Sequence, residues 1–291
     1  MAVAAYLVTV VDGDMARSLV VMGREAPWLL GLSAFLFGTA TLLAALAWHA
    51  WLRALSETPA LATSIYVWYA SMLARYLPGG VLHIGSRLVM GQANGLGVRR
   101  VMISLFLEHG AMVGGAVLLA LPLGLRVIPL PTLSVGVLVI ALLIWLRWMD
   151  TSHPINRVLR WLGRKPVVYH MGLPTFLRIV SLYLLVIALN GLAVFVLVIP
   201  TVGPDGWLAL STLGIFSLSW LVGFLSPLPG GLGVREVTMG VLLTSALGVQ
   251  PGDAMGIALT ARLLGIVGEL GGWLLVMVIN ASFLRPVRAG P

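Results

Sequence analysis

Ionisable side chains inside apolar stretches are the residues of this sequence best placed to do chemistry. Glu108 lies ten residues into an apolar stretch that begins near residue 98, and Arg262 lies nine residues into one that begins near 253. A helix rises 1.5 Å per residue, so Glu108 would lie about 15 Å into a bilayer, close to its midplane. A charge there costs at least ~2.5 kcal/mol, so it normally has a partner or a task. Two interpretations are open: a structural Glu108–Arg262 bridge, or a bridge that also forms part of a ligand site.

Two short segments rich in Gly and Pro occur in matching form, at residues 75–98 and 226–249. In each, Leu-Pro-Gly-Gly is followed after fifteen residues by Leu-Gly-Val, and the copies lie 151 positions apart. We interpret the match as an internal duplication, with the glycine pairs Gly79-Gly80 and Gly230-Gly231 at equivalent places.

A Pro-Gly-Gly break leaves backbone N–H and C=O groups unpaired. In hydrocarbon such groups must be buried in protein or face a water-filled cavity, so the breaks are expected to line a site inside the membrane. The helix after each break directs its positive end at that site, which suits an anion. Arg87, Arg235 and Glu236 lie in these segments, and arginine can bind a phosphate through two parallel hydrogen bonds. In the alternative interpretation the segments are interfacial turns whose arginines reach the headgroup level.

Composition places the chain among polytopic all-α membrane proteins. Of its 291 residues, 59% are hydrophobic and 10% charged, with a mean hydropathy of +1.03, whereas soluble domains carry about 25% charged residues. About 7–8 transmembrane helices are expected, two broken or re-entrant segments among them. The predicted spans are 28–52, 60–77, 98–121, 127–148, 174–199, 206–226 and 253–280. We expect one transmembrane domain over 1–291, made of pseudo-repeats at about 28–148 and 174–284.

The distribution of basic residues predicts the orientation of these spans. If the basic loop 149–173 is cytoplasmic, alternating spans put thirteen basic residues on that side and four on the other, as the positive-inside rule requires. The same span count does not decide whether the repeats are parallel or inverted. Six tryptophans lie near predicted helix ends, where indole rings favour the headgroup level: Trp48, Trp51, Trp145, Trp148, Trp161 and Trp207.

Several other classes of function find no support in the sequence. There is no Cys, so disulfides and thiolate metal sites are excluded. His83 and His109 adjoin the candidate charges but have no metal-site spacing. No nucleophile elbow, phosphate loop or acid–base carboxylate pair is present, so we expect neither a cofactor nor an enzyme. The basic residues cluster in short loops, which favours phospholipid surfaces over nucleic acid as the partner.

The motifs resemble the flippase-like transmembrane region of lysylphosphatidylglycerol synthases and its stand-alone relatives. The residues that carry the resemblance are 76–80 with Arg87, then Glu108, and in the second half 227–236 (Pro-Leu-Pro-Gly-Gly-Leu-Gly-Val-Arg-Glu) with Arg262. The resemblance covers about residues 28–280. Many relatives place an acidic residue before the arginine where this chain has Ser86. No aminoacyl-transferase domain follows, so the resemblance does not imply lipid aminoacylation.

The sequence and the resemblance together predict a flippase-like transporter in the cell membrane. It would move an anionic or phosphate-bearing lipid, either an aminoacylated phospholipid or a polyprenyl-linked glycolipid, between leaflets. Arg87 and Arg235 would receive the headgroup, and the Glu108/Arg262 pair would lie on its path. The alternative is a non-transporting subunit that presents lipid to a glycosyltransferase or lipid-modifying enzyme. Glycine pairs such as Gly271-Gly272 permit close helix packing within the chain or in a homo-oligomer.

Overall fold

The computed structural model describes residues 27–76, 82–127, 161 and 171–283. These residues are almost entirely helical and contain no strand. The α-helices are α1 Pro27–Ala54, α2 Leu61–Met72, α3 Leu82–Ala93, α4 Val98–Val127, α5 Leu173–Val202, α6 Gly206–Leu225, α7 Val234–Leu247 and α8 Pro251–Phe283. A 3-10 turn, Leu73–Tyr76, extends α2, and a second one, Pro229–Gly231, lies between α6 and α7.

Five of these helices are long and apolar enough to cross a membrane. They are α1, α4, α5, α6 and α8, each with a hydrophobic window of mean hydropathy between 1.6 and 2.8. Each coincides with a predicted span, so the helical membrane class is confirmed. The predicted span 60–77 corresponds to the 12-residue α2 and its 3-10 turn, which is shorter than the ~20 residues of a simple crossing. The predicted span 127–148 and the basic loop 149–173 lie almost wholly outside the described residues.

Helices from the two halves of the chain pack against one another rather than forming separate bundles. We call residues 27–127 the first half and 171–283 the second half. Helix α1 packs on α5 and α8, and α4 packs on α6. The Ser33 hydroxyl in α1 donates to the Ala193 carbonyl in α5 at 3.0 Å. A Cβ on Gly268 in α8 would lie only 2.8 Å from the backbone nitrogen of Gly38 in α1. The interface between the halves is therefore continuous with the core of the molecule.

The second Gly/Pro segment is a sharp break between α6 and α7. Gly230 and Gly231 have φ angles of +59° and +67°, a conformation that only glycine adopts readily. A Cβ on Gly231 would also lie 2.8 Å from the backbone of Gly223, so the chain folds back against the end of α6. Helix α7 then begins at Val234 without a side-chain cap.

The turn that precedes the first break lies against the second break in the folded chain. The turn that ends α2 contacts the turn between α6 and α7. A Cβ on Gly230 would lie 3.8 Å from the carbonyl oxygen of Arg75. Gly79 and Gly80, the predicted glycines of the first break, lie outside the described residues. The segment that leads into the first break thus lies beside the second.

Candidate functional site

A cavity of about 880 Å³ lies between the two halves, where the turn that ends α2 meets the second break. Both halves supply its walls. Its charged and histidine residues are Arg75, His83, Glu108, His109, Arg235, Arg262 and Glu269. Its volume lies within the range of small-molecule sites, and mostly apolar walls with a few convergent charges are suited to an amphiphilic ligand.

In the first half, Arg87 of α3 pairs with Glu108 of α4 inside the protein. Arg87 Nη1 donates to Glu108 Oε2 at 2.5 Å, and Arg87 Nε donates to the Ser71 hydroxyl at 2.9 Å. The indole of Trp68 donates to Glu108 Oε1 at 3.0 Å. The guanidinium also lies 5.2 Å from the ring centroid of Trp48 and 5.4 Å from that of Trp68. With Arg87 at 0% exposure and Glu108 at 2%, this pair is enclosed by the protein, and Arg87 Nη2 is its one nitrogen with no hydrogen bond to a described residue.

The burial of this pair corrects two expectations. Arg87 is enclosed by the protein instead of extending toward lipid, and it lies behind the cavity wall rather than on it. Trp48 and Trp51 are each 0% exposed, so they pack in the core instead of anchoring at the membrane surface. Trp48 also donates to the Ser104 hydroxyl at 2.9 Å. An indole near the end of a hydropathy segment therefore belongs here to the packing around Arg87.

In the second half, Glu236 of α7 pairs with Arg262 of α8. Arg262 Nε lies 3.4 Å from Glu236 Oε1. Arg262 Nη2 donates to the carbonyl oxygen of Gly230, in the break, at 3.2 Å. The side chain of Arg262 is 12% exposed and lines the cavity, and Glu236 is 4% exposed. This pair holds the break against α8 while one of its members faces the cavity.

The predicted bridge between Glu108 and Arg262 was wrong. Each residue is paired with a residue from the short helix of its own half, Glu108 with Arg87 and Arg262 with Glu236. The short helix packs on the long helix that follows it in both halves. This brings its charged side chain nearer to that helix than to the other half.

Arg235 has neither an ion pair nor a hydrogen bond with any described residue. Its guanidinium carbon lies 4.7 Å from the ring centroid of Phe216, a cation–π distance. It lines the cavity and follows the break directly, in the first turn of α7. Helix N-termini and arginine side chains both bind anions. This point of the cavity wall contains one of each, so it is suited to an anion.

A third ion pair crosses between the halves. Arg75, in the turn that ends α2, bonds to Glu269 of α8, and both side chains are partly exposed at 26% and 21%. Both line the cavity. The sequence did not assign either residue to the site. Their pairing depends on how the turn that ends α2 lies against α8.

Aromatic rings cover another part of the cavity wall. Trp220 and Phe224 stack with centroids 5.2 Å apart, and Phe224 lies 5.8 Å from the ring of His109. The rings of His109 and His83 are 5.9 Å apart. Together Trp220, Phe224, His109 and His83 form what we call the aromatic wall. Across the part of the chain that the structure describes, no group of three His, Asp or Glu residues could hold a metal ion.

Comparison with known families assigns the chain. The family model described as lysylphosphatidylglycerol synthase TM region matches residues 1–269. The chain belongs to this family. A comparison with curated proteins finds no match. Membership of the lysylphosphatidylglycerol synthase TM family confirms the resemblance and indicates a membrane domain associated with lipid handling.

The structure brings together most of the residues that the sequence proposed for this member of the lysylphosphatidylglycerol synthase TM family. Arg235, Glu236, Arg262, Gly230 and Gly231 meet at the second break, on or next to the cavity. Glu108 reaches the cavity from the opposite half, with Arg87 behind it. The participation of Phe216 and the aromatic wall was missed, since aromatic residues on an apolar helix give no separate signal in the sequence.

Proposed function

We propose that this protein is a flippase-like transporter that moves an anionic or phosphate-bearing lipid between the leaflets of the cell membrane. The observation that carries the proposal is Arg235, a cation in the cavity wall with no ion pair or hydrogen bond to a described residue. An arginine at membrane depth is costly without an anionic partner. A lipid phosphate supplies that partner and explains why the cost is tolerated.

The surroundings of Arg235 support the same ligand. The uncapped start of α7 adds backbone N–H groups and the positive end of a helix dipole. The remaining wall is largely apolar, which suits the acyl or prenyl chains that a lipid keeps in the membrane while its headgroup crosses. The ligand would therefore lie between the halves, with its phosphate at the second break.

We further propose that the chain consists of two pseudo-repeats with re-entrant or broken segments, and that their relative motion gives alternating access. The order of helices supports this: in each half a long helix, then a helix that ends at a break, then a short helix and a second long helix. Transporters built from such repeats bind substrate at the repeat interface, near broken helices. The cavity and the second break lie between the two halves, as this proposal requires.

The test is leaflet exchange in liposomes that contain the purified protein. The lipids are a phospholipid and a polyprenyl-phosphate sugar, each labelled on its hydrophobic chain. The critical variant is Arg235→Gln, and the matched control is Arg178→Gln, an exposed arginine near the start of α5. We expect lipid exchange that depends on the protein. Arg235→Gln should reduce its rate at least about tenfold, because the lipid phosphate would then be an unpaired charge in the cavity, at a cost of several kcal/mol. Arg178→Gln should leave the rate unchanged.

Two results would count against the proposal. Exchange that is equally fast with Arg235→Gln would remove the arginine from the path. Absence of exchange for every lipid, from protein that is folded and inserted, would favour the subunit that presents lipid to a partner enzyme.

A further inference from the structure

We infer that the cavity selects lipids whose headgroup joins a single phosphodiester to an uncharged polyol or sugar, and that it discriminates against cationic aminoacylated headgroups. This inference rests on the proposed function and narrows its substrate class. It follows from the charges around the cavity and from the aromatic face that continues from Arg235.

The charges around the cavity leave one surplus positive charge among the described residues. Three arginine–glutamate pairs are present: Arg87–Glu108, Arg262–Glu236 and Arg75–Glu269. Arg235 is the fourth arginine and has no glutamate of its own. His83 and His109 also face the cavity. The cavity is thus complementary to one negative charge.

The net charge of +1 in the cavity predicts an order of preference among lipid headgroups. A phosphodiester with an uncharged headgroup neutralises Arg235 and leaves no charge unmatched. A lysylated phospholipid carries a phosphate and two ammonium groups, so it would leave two positive charges inside the cavity. A phosphomonoester approaches two negative charges and leaves one unmatched. Each unmatched charge is repelled or left unsolvated in a medium of low dielectric constant.

The two carboxylates in the cavity wall are already bound by arginine. Glu108 accepts hydrogen bonds from Arg87 and from the Trp68 indole. Glu269 bonds to Arg75. An ammonium group would have to displace an arginine from either pair. Glu236 has no hydrogen bond to its oxygens from a described residue, but it is 4% exposed and lies outside the lining of this cavity.

The aromatic face of α6 extends from the anion site. Phe216 lies under Arg235, and Trp220 and Phe224 follow at intervals of four residues, so all three lie on one side of the helix. At 1.5 Å per residue, Trp220 is about 6 Å and Phe224 about 12 Å along the axis from Phe216. A phosphate held at Arg235 would therefore place the attached headgroup against Trp220 and Phe224. The C–H faces of a polyol or sugar ring suit these flat apolar surfaces.

His109 supplies a hydrogen-bond group beside this face. Its Nδ1 donates to the Leu105 carbonyl at 2.7 Å, so in the neutral ring Nε2 is the acceptor. Phe224 lies 5.8 Å from this ring, and His109 lines the cavity. A hydroxyl of the headgroup can donate to Nε2 while the ring of the headgroup packs on the aromatic face.

The experiment compares labelled lipids in the same liposomes containing the full chain. The probes are phosphatidylglycerol and phosphatidylinositol, with one phosphodiester and an uncharged polyol, against lysyl-phosphatidylglycerol and phosphatidic acid. We expect the first two to exchange at least about tenfold faster than the other two, since unmatched like charges cost several kcal/mol. Lysyl-phosphatidylglycerol moving as fast as phosphatidylglycerol would overturn the inference and leave the proposed function intact. If no lipid exchanges, the proposed function itself fails.

Charge reversal at the surplus arginine sharpens the test. Arg235→Glu changes the net charge of the cavity from +1 to −1, so we expect the preference to shift toward lysyl-phosphatidylglycerol. Arg178→Glu makes the same change on an exposed part of α5 and should leave the preference unchanged. An unaltered preference in the Arg235→Glu protein contradicts the charge argument. If that variant does not fold, Arg235→Gln is tested in its place. The exchange rate of phosphatidylglycerol divided by that of lysyl-phosphatidylglycerol must then fall.

A second substitution tests the aromatic face. Trp220→Leu keeps an apolar side chain but removes the flat ring, so exchange of phosphatidylinositol should fall several-fold, while exchange of phosphatidic acid stays the same. Leu210→Ala, at an exposed position of the same helix, is the control. Equal losses for both lipids would show that Trp220 has only a structural role and would remove the headgroup part of the inference.

Discussion

The two halves contain the same kind of ion pair with opposite polarity and opposite surroundings. In the first half the short helix supplies the arginine and the long helix the glutamate, whereas in the second half the short helix supplies Glu236 and the long helix Arg262. In the first pair, Arg87 Nη1 and Glu108 Oε2 are 2.5 Å apart, and indole rings and a hydroxyl group surround them. In the second pair, Arg262 Nε and Glu236 Oε1 are 3.4 Å apart, and the pair borders the cavity. The same connection between helices is thus rigid in one half and open to a ligand in the other.

This difference indicates that the ion pair of the first half has a structural role and that of the second half a ligand-binding role. Buried ion pairs contribute little net stability, but breaking one leaves a costly unpaired charge. The Arg87–Glu108 pair therefore fixes α3 against α4 and makes a firm wall. Arg262 and the neighbouring Arg235 instead line the cavity, where the proposed lipid phosphate would lie. Substitutions in the two halves should accordingly affect different properties.

The largest expected effect is on stability, from Arg87→Met. It leaves Glu108 buried without its cation, which should lower the free energy of unfolding by about 3–5 kcal/mol, measured by denaturant titration in detergent micelles. The double variant Arg87→Met/Glu108→Gln removes the charge while retaining an acceptor for Trp68, so it should regain much of that loss. A double variant no more stable than the single one would contradict the assignment of Arg87 as the fixed partner of Glu108.

In the second half, removal of the arginine should be tolerated better. Arg262→Met should lower the free energy of unfolding by about 1–3 kcal/mol, because Glu236 lies in the first turn of α7, where the helix dipole stabilises it. Lipid exchange should nevertheless be lost. If Arg262→Met destabilises the protein as much as Arg87→Met does, the two pairs are equivalent. The inference that they have different roles is then wrong.

The geometry of the second break predicts an intermediate effect. Gly231→Ala puts a side chain at φ +67° and 2.8 Å from the backbone of Gly223, so it should cost about 2–4 kcal/mol of unfolding free energy. Gly248→Ala is the control, because that residue has φ +69° but open space around it, and it should cost about 1–2 kcal/mol. Equal losses in the same denaturant titration would show that close approach to α6 is not needed.

The smallest effect on stability should come from the ion pair between the halves. Arg75→Gln removes a partly exposed pair and should change the free energy of unfolding by less than about 1 kcal/mol. Exchange of phosphatidylglycerol should still fall several-fold, since the cavity loses its surplus positive charge. Arg100→Gln breaks a similarly exposed pair with Glu57, away from the cavity, and should leave exchange unchanged. Equal exchange in both variants would exclude a role for Arg75.

The sequence by itself determined the class of the protein, the five helices that are long and apolar enough to cross a membrane, and the place of the second break. Hydropathy reports these directly, because a crossing helix needs a long apolar run and a Pro-Gly-Gly sequence ends one. It also identified Arg235, Glu236 and Arg262 as candidate residues, since charges are few in such a chain and conspicuous within its apolar runs.

Only the tertiary structure decided which charges pair and which remain for a ligand. Depth in the membrane can be read from position along a helix, and it made Glu108 and Arg262 look like partners. Pairing depends as well on the rotation of each helix and on how the breaks displace α3 and α7. Those are set by packing, such as the burial of Trp48 and Trp68 around Arg87 and the close approach of Gly231 to α6. Hydropathy contains neither quantity, so the cavity and its surplus arginine became visible only in the folded chain.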